Sequence, residues 1–249
     1  MKRVKLVVAY DGTNYCGWQV QKNGETIESV LNRAIGELTG EEIHVMGSSR
    51  TDAGVHACGN VAVFDTEARM AADKFSYALN QRLPEDIRIQ DSCEVPADFH
   101  PRFQKTVKTY EYRILNREFP LPAYRFNSHF TYRKLDVERM RQAAAYLIGE
   151  HDFQSFCAAG AQVKTTVRTI YALDVEKQGD LIILRITGNG CLYNMVRIIA
   201  GTLMKIGQGD WEPERIPEIL AGCDRQLAGP TAPAKGLTLM EIHFKGEKG

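Results

Sequence analysis

The amino-acid sequence predicts an α+β fold built from two halves that share the element order β-α-β-β-α-β, with antiparallel sheets. Segments in which apolar and polar residues alternate predict strands, and segments with apolar residues at i, i+3, i+4 and i+7 predict helices. The two kinds of segment follow the same order before and after residue 105. With 249 residues, 44% hydrophobic and 25% charged, the chain can bury a core as one large domain or two small ones.

In the first half, alternation predicts a strand over residues 3–10, and helical spacing predicts a helix over residues 26–38. Gly40 follows this helix, at the position where a left-handed cap forms. The other elements expected in this half are strands near residues 43–47 and 60–66, a helix over 71–82 stopped by Pro84, and a strand over 87–94.

The second half repeats this order, although no matching residues between the halves can be identified. Asp136 is suited to cap a helix that extends to residue 148. The other elements expected are strands over 107–115, 168–177 and 181–187, a helix over 192–206 and a strand over 237–244. We therefore expect two ferredoxin-like domains, 1–105 and 106–249, with a cleft between them.

Composition disfavours several classes of protein. The net charge is zero, with 31 basic and 31 acidic residues, so overall charge does not indicate nucleic-acid binding. No apolar run approaches the roughly 18 residues of a membrane helix, and the apolar segment near the start is too short for a secretory signal. The six cysteines form no CxxC pair and the six histidines lack ligand spacing, so we expect reduced thiols in the cytoplasm and no metal.

Charge is distributed unevenly along the chain. Residues 101–134 contain eight basic and two acidic residues together with eight aromatic residues. Basic side chains bind phosphates and aromatic rings stack on unpaired bases, so this composition suits a folded RNA partner. The alternative is a solvated pair of strands whose aromatic residues form core.

The segment GSSRTDAGVHA, residues 47–57, contains one carboxylate, Asp52, among small residues. Gly47 and Gly54 leave room for a ligand near this carboxylate, and Arg50 lies on the same face if the segment is extended. A neighbouring guanidinium keeps a carboxylate ionised, as a nucleophile requires. The alternative is a tight turn in which Asp52 accepts backbone N–H bonds, and on spacing alone this is the commoner arrangement.

Two further residues stand out. Arg197 points away from the apolar stripe of its predicted helix, so it is either exposed or paired with a carboxylate, for which Asp52 is one candidate. Tyr110 shares a strand face with Lys108 and Tyr112, where its ring could stack on a base or belong to the core. Loops 11–21, 151–160 and 229–236 are rich in the residue types that form binding sites.

Seven segments, in this order along the chain, resemble the tRNA pseudouridine synthase A family. They span nearly the whole sequence, which makes a chance match of one motif a poor explanation. The segments are YDGTNYCGWQVQ (10–21), RTDAGVHA (50–57), KTYEYRI (108–114), HDFQSF (151–156), VRTI (167–170), NMVRIIAGTL (194–203) and AGPTAPAKGLTL (228–239).

The resemblance implies a cofactor-free isomerase that converts uridine to pseudouridine in the anticodon stem-loop of tRNA, acting as a two-domain homodimer. It implies that Asp52 is the nucleophile and that Arg50 assists extrusion of the base. It also implies that Tyr110 packs on the target base and that Arg197 pairs with the catalytic carboxylate. Domain 1–105 then carries the nucleophile, and domain 106–249 carries the tyrosine and the arginine.

The chain departs from the family pattern at several positions. Ser48 and Ser49 replace the common Ala-Gly, Cys191 occupies a position that is usually Phe, and FHPRFQK (99–105) differs from the usual Phe-His-Ala-Arg pattern. These departures bear on which uridine is modified. The alternatives are a paralogue acting on other RNA uridines, a non-catalytic RNA-binding protein, and a hydrolase that uses an Asp nucleophile and releases free uracil.

Overall fold

A computed structural model describes residues 1–160 and 163–244 of the chain. The fold is mixed α/β, and its strands pair mostly antiparallel. The helices are α1 (Ile27–Thr39), α2 (Phe75–Asn80), α3 (Val137–Ala145), α4 (Met195–Gly207) and α5 (Arg215–Gly222). The strands are β1 (Lys2–Tyr10), β2 (Met46–Gly47), β3 (His56–Thr66), β4 (Ile87–Val95), β5 (Thr106–Asn116), β6 (His129–Thr131), β7 (Gly149–Asp152), β8 (Val167–Gln178), β9 (Leu181–Gly188) and β10 (Leu237–Phe244).

The chain divides into two compact units. The first comprises Met1–Lys105 and the chain from Leu239 onward, and the second comprises Thr106–Thr238. The strands of the first unit are neighbours in the order β4, β1, β3, β10, and β2 pairs antiparallel with β3. Alternate residues of β1 point to one face, so Val4, Leu6 and Val8 are completely buried there.

The ends of α1 lie within one residue of the prediction. Ser29 N donates to Thr26 Oγ1 at 3.2 Å and Thr26 N donates to Ser29 Oγ at 3.0 Å, which forms a reciprocal N-terminal cap. After the helix, Gly40 has a φ of +74°, the left-handed conformation that glycine adopts without steric cost. Local sequence signals therefore determine this helix.

In the second unit, β5, β9, β8 and β7 are antiparallel neighbours in that order, and β6 pairs parallel with β5. Tyr112 lies opposite Leu184 and Ile114 lies opposite Ile182, and all four residues are completely buried. Helix α3 packs against α4 and β8. These apolar pairs join β5, the strand that carries Tyr110, to β9 in the core of the second unit.

Some predicted elements differ in extent. The helix expected over 71–82 is a 3-10 turn at Ala72–Lys74 followed by the six-residue α2, which ends well before Pro84. The helix expected from residue 192 begins at Met195, because Asn194 has a left-handed φ of +60°. Strands β6 and β7 and helix α5 were not predicted, since they are short, with three, four and eight residues.

The sequence analysis placed the last strand in a second domain, residues 106–249, whereas the contacts of the chain group this strand differently. Most of β10 belongs to the first unit, where it lies beside β3. Alternation predicts a strand but not its partner, so a pairing between such distant residues leaves no local signal. Because β6, β7 and α5 interrupt the expected order, a ferredoxin-like arrangement of both halves stays a prediction. Residues 245–249 lie outside the described residues.

None of the six cysteines, all of which lie in the described residues, forms a disulfide bond. No helix in the described part of the chain combines the length and the apolar character needed to cross a membrane.

Glu111 on β5 is a buried carboxylate held between two arginines. Its side chain is 3% exposed and accepts hydrogen bonds from Arg113 Nε at 2.8 Å and Arg185 Nη2 at 3.0 Å. Burial alone raises the pKa of Glu111, but the hydrogen bonds and charges of Arg113 and Arg185 outweigh burial and hold the pKa below its usual value. Because Arg185 lies on β9, the pair ties β5 to its neighbour.

We predict that Glu111→Gln lowers the free energy of unfolding by about 1–2 kcal/mol near neutral pH, since weaker neutral bonds replace charge-assisted ones whose arginines are partly exposed. The folded pKa lies below the unfolded one. The contribution of Glu111 is therefore fully present above the unfolded pKa of about 4.5 and is lost as the pH falls through the folded pKa. Urea denaturation at several pH values measures this difference. A difference that does not shrink on acidification contradicts the prediction, and Glu118→Gln, at an exposed position, is the control.

Candidate active site

Asp52 lies in the loop of residues 47–55, which joins β2 to β3 and is called the Asp52 loop below. Val55 N donates to Asp52 O at 3.1 Å, and Gly54 has a φ of +77°, so Asp52 begins a tight turn whose third residue favours glycine. Asp52 is partly exposed at this position. Asp52 therefore lies in a tight turn, and this position is compatible with a role as nucleophile.

A buried hydrogen-bond network supports the loop from β1 and β3. Tyr10 on β1 and Thr51 share a hydroxyl–hydroxyl bond of 2.7 Å. Asn60 on β3 is completely buried, and its Nδ2 donates to Ser49 O at 3.0 Å and to Tyr10 Oη at 3.3 Å. Asn60 Oδ1 accepts from Ser49 N at 3.3 Å. Burial raises the pKa of the Tyr10 phenol and outweighs these bonds, so the phenol stays protonated as a donor.

The loop of residues 11–21 packs directly on the Asp52 loop. Trp18 N donates to Thr51 O at 3.0 Å, and Gly12 N donates to His56 Nδ1 at 3.1 Å. Gly17 has a φ of +89°, and a Cβ at this position would lie 2.6 Å from Thr51 O. Glycine is therefore required at Gly17 both by its backbone conformation and by the close approach of the two loops.

Trp18 fills the space under the start of the Asp52 loop. Its side chain is completely buried, and Gly47 lies so close to the indole that a Cβ at Gly47 would overlap the ring. The indole Nε1 has no hydrogen-bond partner within the described residues. The apolar faces of the indole therefore hold Trp18 in place, and Gly47 is needed for this contact.

Arg50 is exposed on the same loop, two residues before Asp52. Arg102 approaches the loop from residues 99–105, and its Nε donates to Gly47 O at 2.8 Å. Burial and the nearby charge of Arg50 lower the pKa of Arg102, against the opposing charge of Glu28. The first unit thus places two guanidinium groups near the Asp52 loop.

Tyr110 lies on β5 opposite Ile186 of β9 and is buried. On the same face, Tyr112 Oη donates to Pro233 O at 2.9 Å, and Gly236 packs against the Tyr112 ring. Loop 229–236 thus contacts the strand face that the sequence predicted for Tyr110 and Tyr112.

Arg197 lies in the first turn of α4 and is partly buried. Its Nε donates to Ala232 O and its Nη1 donates to Asn194 Oδ1, each at 2.7 Å. Ala232 N donates in return to Arg197 O at 3.1 Å. Asn194, at the start of the helix, and the distant Ala232 therefore orient the guanidinium plane.

The first unit therefore contains Asp52 and Arg50, and the second contains Tyr110 and Arg197. Sequence reasoning missed the side chains that support the Asp52 loop, namely Tyr10, Trp18 and Asn60. Tyr10 and Trp18 lie in or beside the loop that composition marked as unusual, whereas Asn60 is one polar residue in a predicted strand and carried no signal. In residues 1–160 and 163–244, no group of three or more His, Cys, Asp or Glu side chains is placed to hold a metal ion.

Comparison with known proteins assigns the family. A family model described as tRNA pseudouridine synthase matches residues 6–104 and 143–245. The chain belongs to the tRNA pseudouridine synthase family. Asp52 and Arg197 lie inside the matched segments of this family, and Tyr110 lies between them.

Relatives named tRNA pseudouridine synthase A are similar to this chain over nearly its full length. The relative from Brevibacillus brevis is 51% identical over 245 residues, and the relative from Ruminiclostridium cellulolyticum is 49% identical over 245 residues. The relative from Acetivibrio thermocellus is 48% identical over 244 residues. Each comparison covers 98% of this chain and 100% of the relative. The family resemblance found in the seven sequence segments is confirmed.

We predict that Gly17→Ala lowers the free energy of unfolding by about 2 kcal/mol more than Gly179→Ala. Both glycines have positive φ, +89° and +60°, but only at Gly17 does the added Cβ meet backbone atoms, and nothing lies within 4 Å of that position at Gly179. Chemical denaturation of the two variants measures the difference. Equal losses of stability in the two variants would show that Gly17 does not closely contact the backbone of the Asp52 loop in solution.

Proposed function

We propose that the protein is a tRNA-modifying isomerase that converts uridine to pseudouridine in the anticodon stem-loop. The observation that carries this proposal is the similarity, over 98% of the chain, to proteins named tRNA pseudouridine synthase A. A partly exposed carboxylate on a rigidly supported turn is the arrangement that a nucleophile needs, which supports the proposal.

The reaction is an isomerisation with a simple balance. The glycosidic bond between C1′ and N1 of uridine breaks, the uracil turns, and C5 forms a bond to C1′. The proton lost from C5 is balanced by one gained at N1, so no electrons and no phosphoryl group are transferred. Amino-acid side chains therefore suffice, and we propose that the enzyme needs no cofactor and no metal.

Asp52 supplies the carboxylate in this proposal. In its ionised form it attacks C1′ or C6, or assists elimination at C2′, and each route uses a single carboxylate. The supporting network restrains the Asp52 backbone before substrate binds, because Thr51 is bonded to both Tyr10 and Trp18. A restrained nucleophile loses little conformational freedom during reaction.

The other predicted residues act on the extruded uracil base and on the charge of the Asp52 carboxylate. Extruding a uridine from its stack costs a few kcal/mol. In the proposal, the exposed Arg50 offsets this cost and the ring of Tyr110 packs on the extruded base. Arg197, oriented by Asn194 and Ala232, supports the ionised form of the nucleophile.

Two further parts of the proposal follow from the family. We propose that the protein acts as a homodimer, so that one tRNA touches both subunits, and that it works in the cytoplasm, where tRNA is processed. The basic and aromatic residues of 101–134 suit contact with RNA in such a complex. Exposed members of this set include Phe119, Arg125, Phe126, Tyr132 and Arg133.

We predict that Asp52→Ala and Asp52→Asn each reduce pseudouridine formation by at least about 10³-fold, because they remove the nucleophile. The affinity for tRNA stays within about threefold of wild type, because no phosphate contact is lost. Mass-labelled unmodified tRNA transcripts report pseudouridine and free uracil in one assay, and Asp91→Asn, at an exposed position on β4, is the control.

The same assay separates the alternatives. Pseudouridine without free base supports the synthase, whereas release of uracil identifies a hydrolase. No product from a panel of transcripts overturns the catalytic proposal and leaves an RNA-binding protein. Loss of binding in parallel with turnover would assign Asp52 a structural role.

We predict that Arg197→Lys reduces kcat by about 10²-fold, since one ammonium group cannot reproduce the two bonds that orient the guanidinium. Arg139→Lys is a matched control, because Arg139 also donates to main-chain oxygens, those of Ile206 and Trp211, at 3.3 and 2.9 Å. The control loses stability and keeps its kcat. Single-turnover rates and melting temperatures of both variants test this, and equal kcat in the two variants contradicts the role proposed for Arg197.

A further inference from the structure

The segment of residues 99–105, called segment 99–105, lies between β4 and β5 and has no part in the chemistry described above. Two hydrogen bonds attach it to the Asp52 loop. Ser48 Oγ donates to Pro101 O at 2.9 Å, and Arg102 Nε donates to Gly47 O at 2.8 Å. Both bonds reach the residues that lead into Arg50 and Asp52. The position of segment 99–105 is therefore coupled to that of the candidate nucleophile.

The charges of Arg50 and Arg102 are not neutralised by nearby acids. In the part of the chain that the structure describes, neither side chain has a carboxylate within ion-pair distance, and Arg102 uses only its Nε in a hydrogen bond. The charge of Glu28 attracts Arg102 from beyond ion-pair distance, but this attraction is smaller than the repulsion from Arg50. Two neighbouring guanidinium groups repel each other until an anion lies between them, and guanidinium groups bind phosphate oxygens with paired donors.

Segment 99–105 also presents an exposed aromatic stack. Phe103 is 85% exposed, and its ring stacks on that of His100 with centroids 4.1 Å apart and an interplanar angle of 23°. His100 is itself fixed, because its Nδ1 accepts the backbone N–H of Arg102 at 3.2 Å. The stack covers one face of the Phe103 ring and leaves the other face to solvent. A rigid, exposed ring face beside unneutralised arginines is the combination that single-stranded nucleic acid binds.

We propose that segment 99–105 and Arg50 form an RNA-binding element next to the active site. The guanidinium groups of Arg50 and Arg102 bind neighbouring backbone phosphates of the tRNA loop, and the free face of Phe103 stacks on an unpaired base. The occupant is single-stranded RNA, because a duplex shields its base faces and offers Phe103 nothing to stack on. The inference rests on the proposed function for the identity of this RNA as tRNA.

The element also gives a physical meaning to two departures from the family pattern. Ser48 and Pro101 both lie at such positions, and the hydrogen bond from Ser48 Oγ to Pro101 O joins them. The donor in this bond is the serine hydroxyl, which the common alanine lacks. Ser48 thereby helps to set where Arg102 and Phe103 meet the RNA.

The test measures the Kd of unmodified tRNA for the full-length protein at several salt concentrations. Arg102→Gln is expected to raise the Kd about tenfold and to reduce the slope of log Kd against log salt by about 0.7–1, the loss of one phosphate contact. Arg102→Lys keeps the charge and is expected to keep the slope. Phe103→Ala is expected to raise the Kd about tenfold with an unchanged slope, since stacking releases no counterions.

Arg82→Gln is the matched control, because it removes one exposed positive charge from the first unit and breaks only a bond to Ala78 O. Its Kd is expected to stay within about twofold of wild type, the change expected when no phosphate contact is lost. Melting temperatures are measured for every variant. In each affected variant the KM for tRNA rises with the Kd, and kcat changes by a smaller factor.

Three results overturn the inference. The first is a slope of log Kd against log salt in Arg102→Gln that equals that of the wild type. The second is an equal loss of this slope in Arg102→Lys and Arg102→Gln, which would show that Arg102 has a purely structural role. The third is an unchanged Kd in Phe103→Ala. Pseudouridine formation by the wild-type protein tests the proposed function separately. Absence of product with the expected binding pattern intact overturns that function and leaves the binding element standing.

Discussion

The buried amide of Asn60 is the interaction on which the candidate site depends. Its side chain bonds to both backbone polar groups of Ser49 and to the hydroxyl of Tyr10, and it has no access to water. An unsatisfied amide in such a place costs several times what a satisfied one contributes, so the loop cannot move without breaking all of these bonds together. The geometry of Asp52 is therefore fixed by a residue outside the motif that identifies it.

Asn60 lies outside the motif that contains Asp52, and this difference between local and distant residues explains how much could be predicted from the sequence. Helix α1 was predicted within one residue because its periodicity, its cap and Gly40 are all local signals. Asp52 was identified because it lies in a contiguous motif. Asn60 and the pairing of β10 with β3 were missed because each depends on residues brought together only by folding. Arg197 lies between these cases, since its helix was predicted and its acceptor Ala232 was not.

Three arginines in this protein show different uses of one side chain. Arg185 and Arg113 neutralise the buried Glu111 and stabilise the pairing of β5 with β9. Arg197 donates to the carbonyl of Ala232 and to the side-chain amide of Asn194, and these two bonds orient the guanidinium. The net charge of zero therefore does not show which arginines bond to carboxylates, as Arg113 and Arg185 do, and which bond to main-chain and amide oxygens.

The contact between Trp18 and Gly47 has an optical consequence. The sequence contains two tryptophans, and Trp18 is completely buried with its ring against the residue that opens the Asp52 loop. The other, Trp211, lies in the second unit beneath the guanidinium of Arg215, 4.4 Å from its ring centroid. Indole emission responds to the polarity and packing around the ring. The protein therefore contains its own fluorophore at the base of the Asp52 loop, together with an internal reference on the other unit.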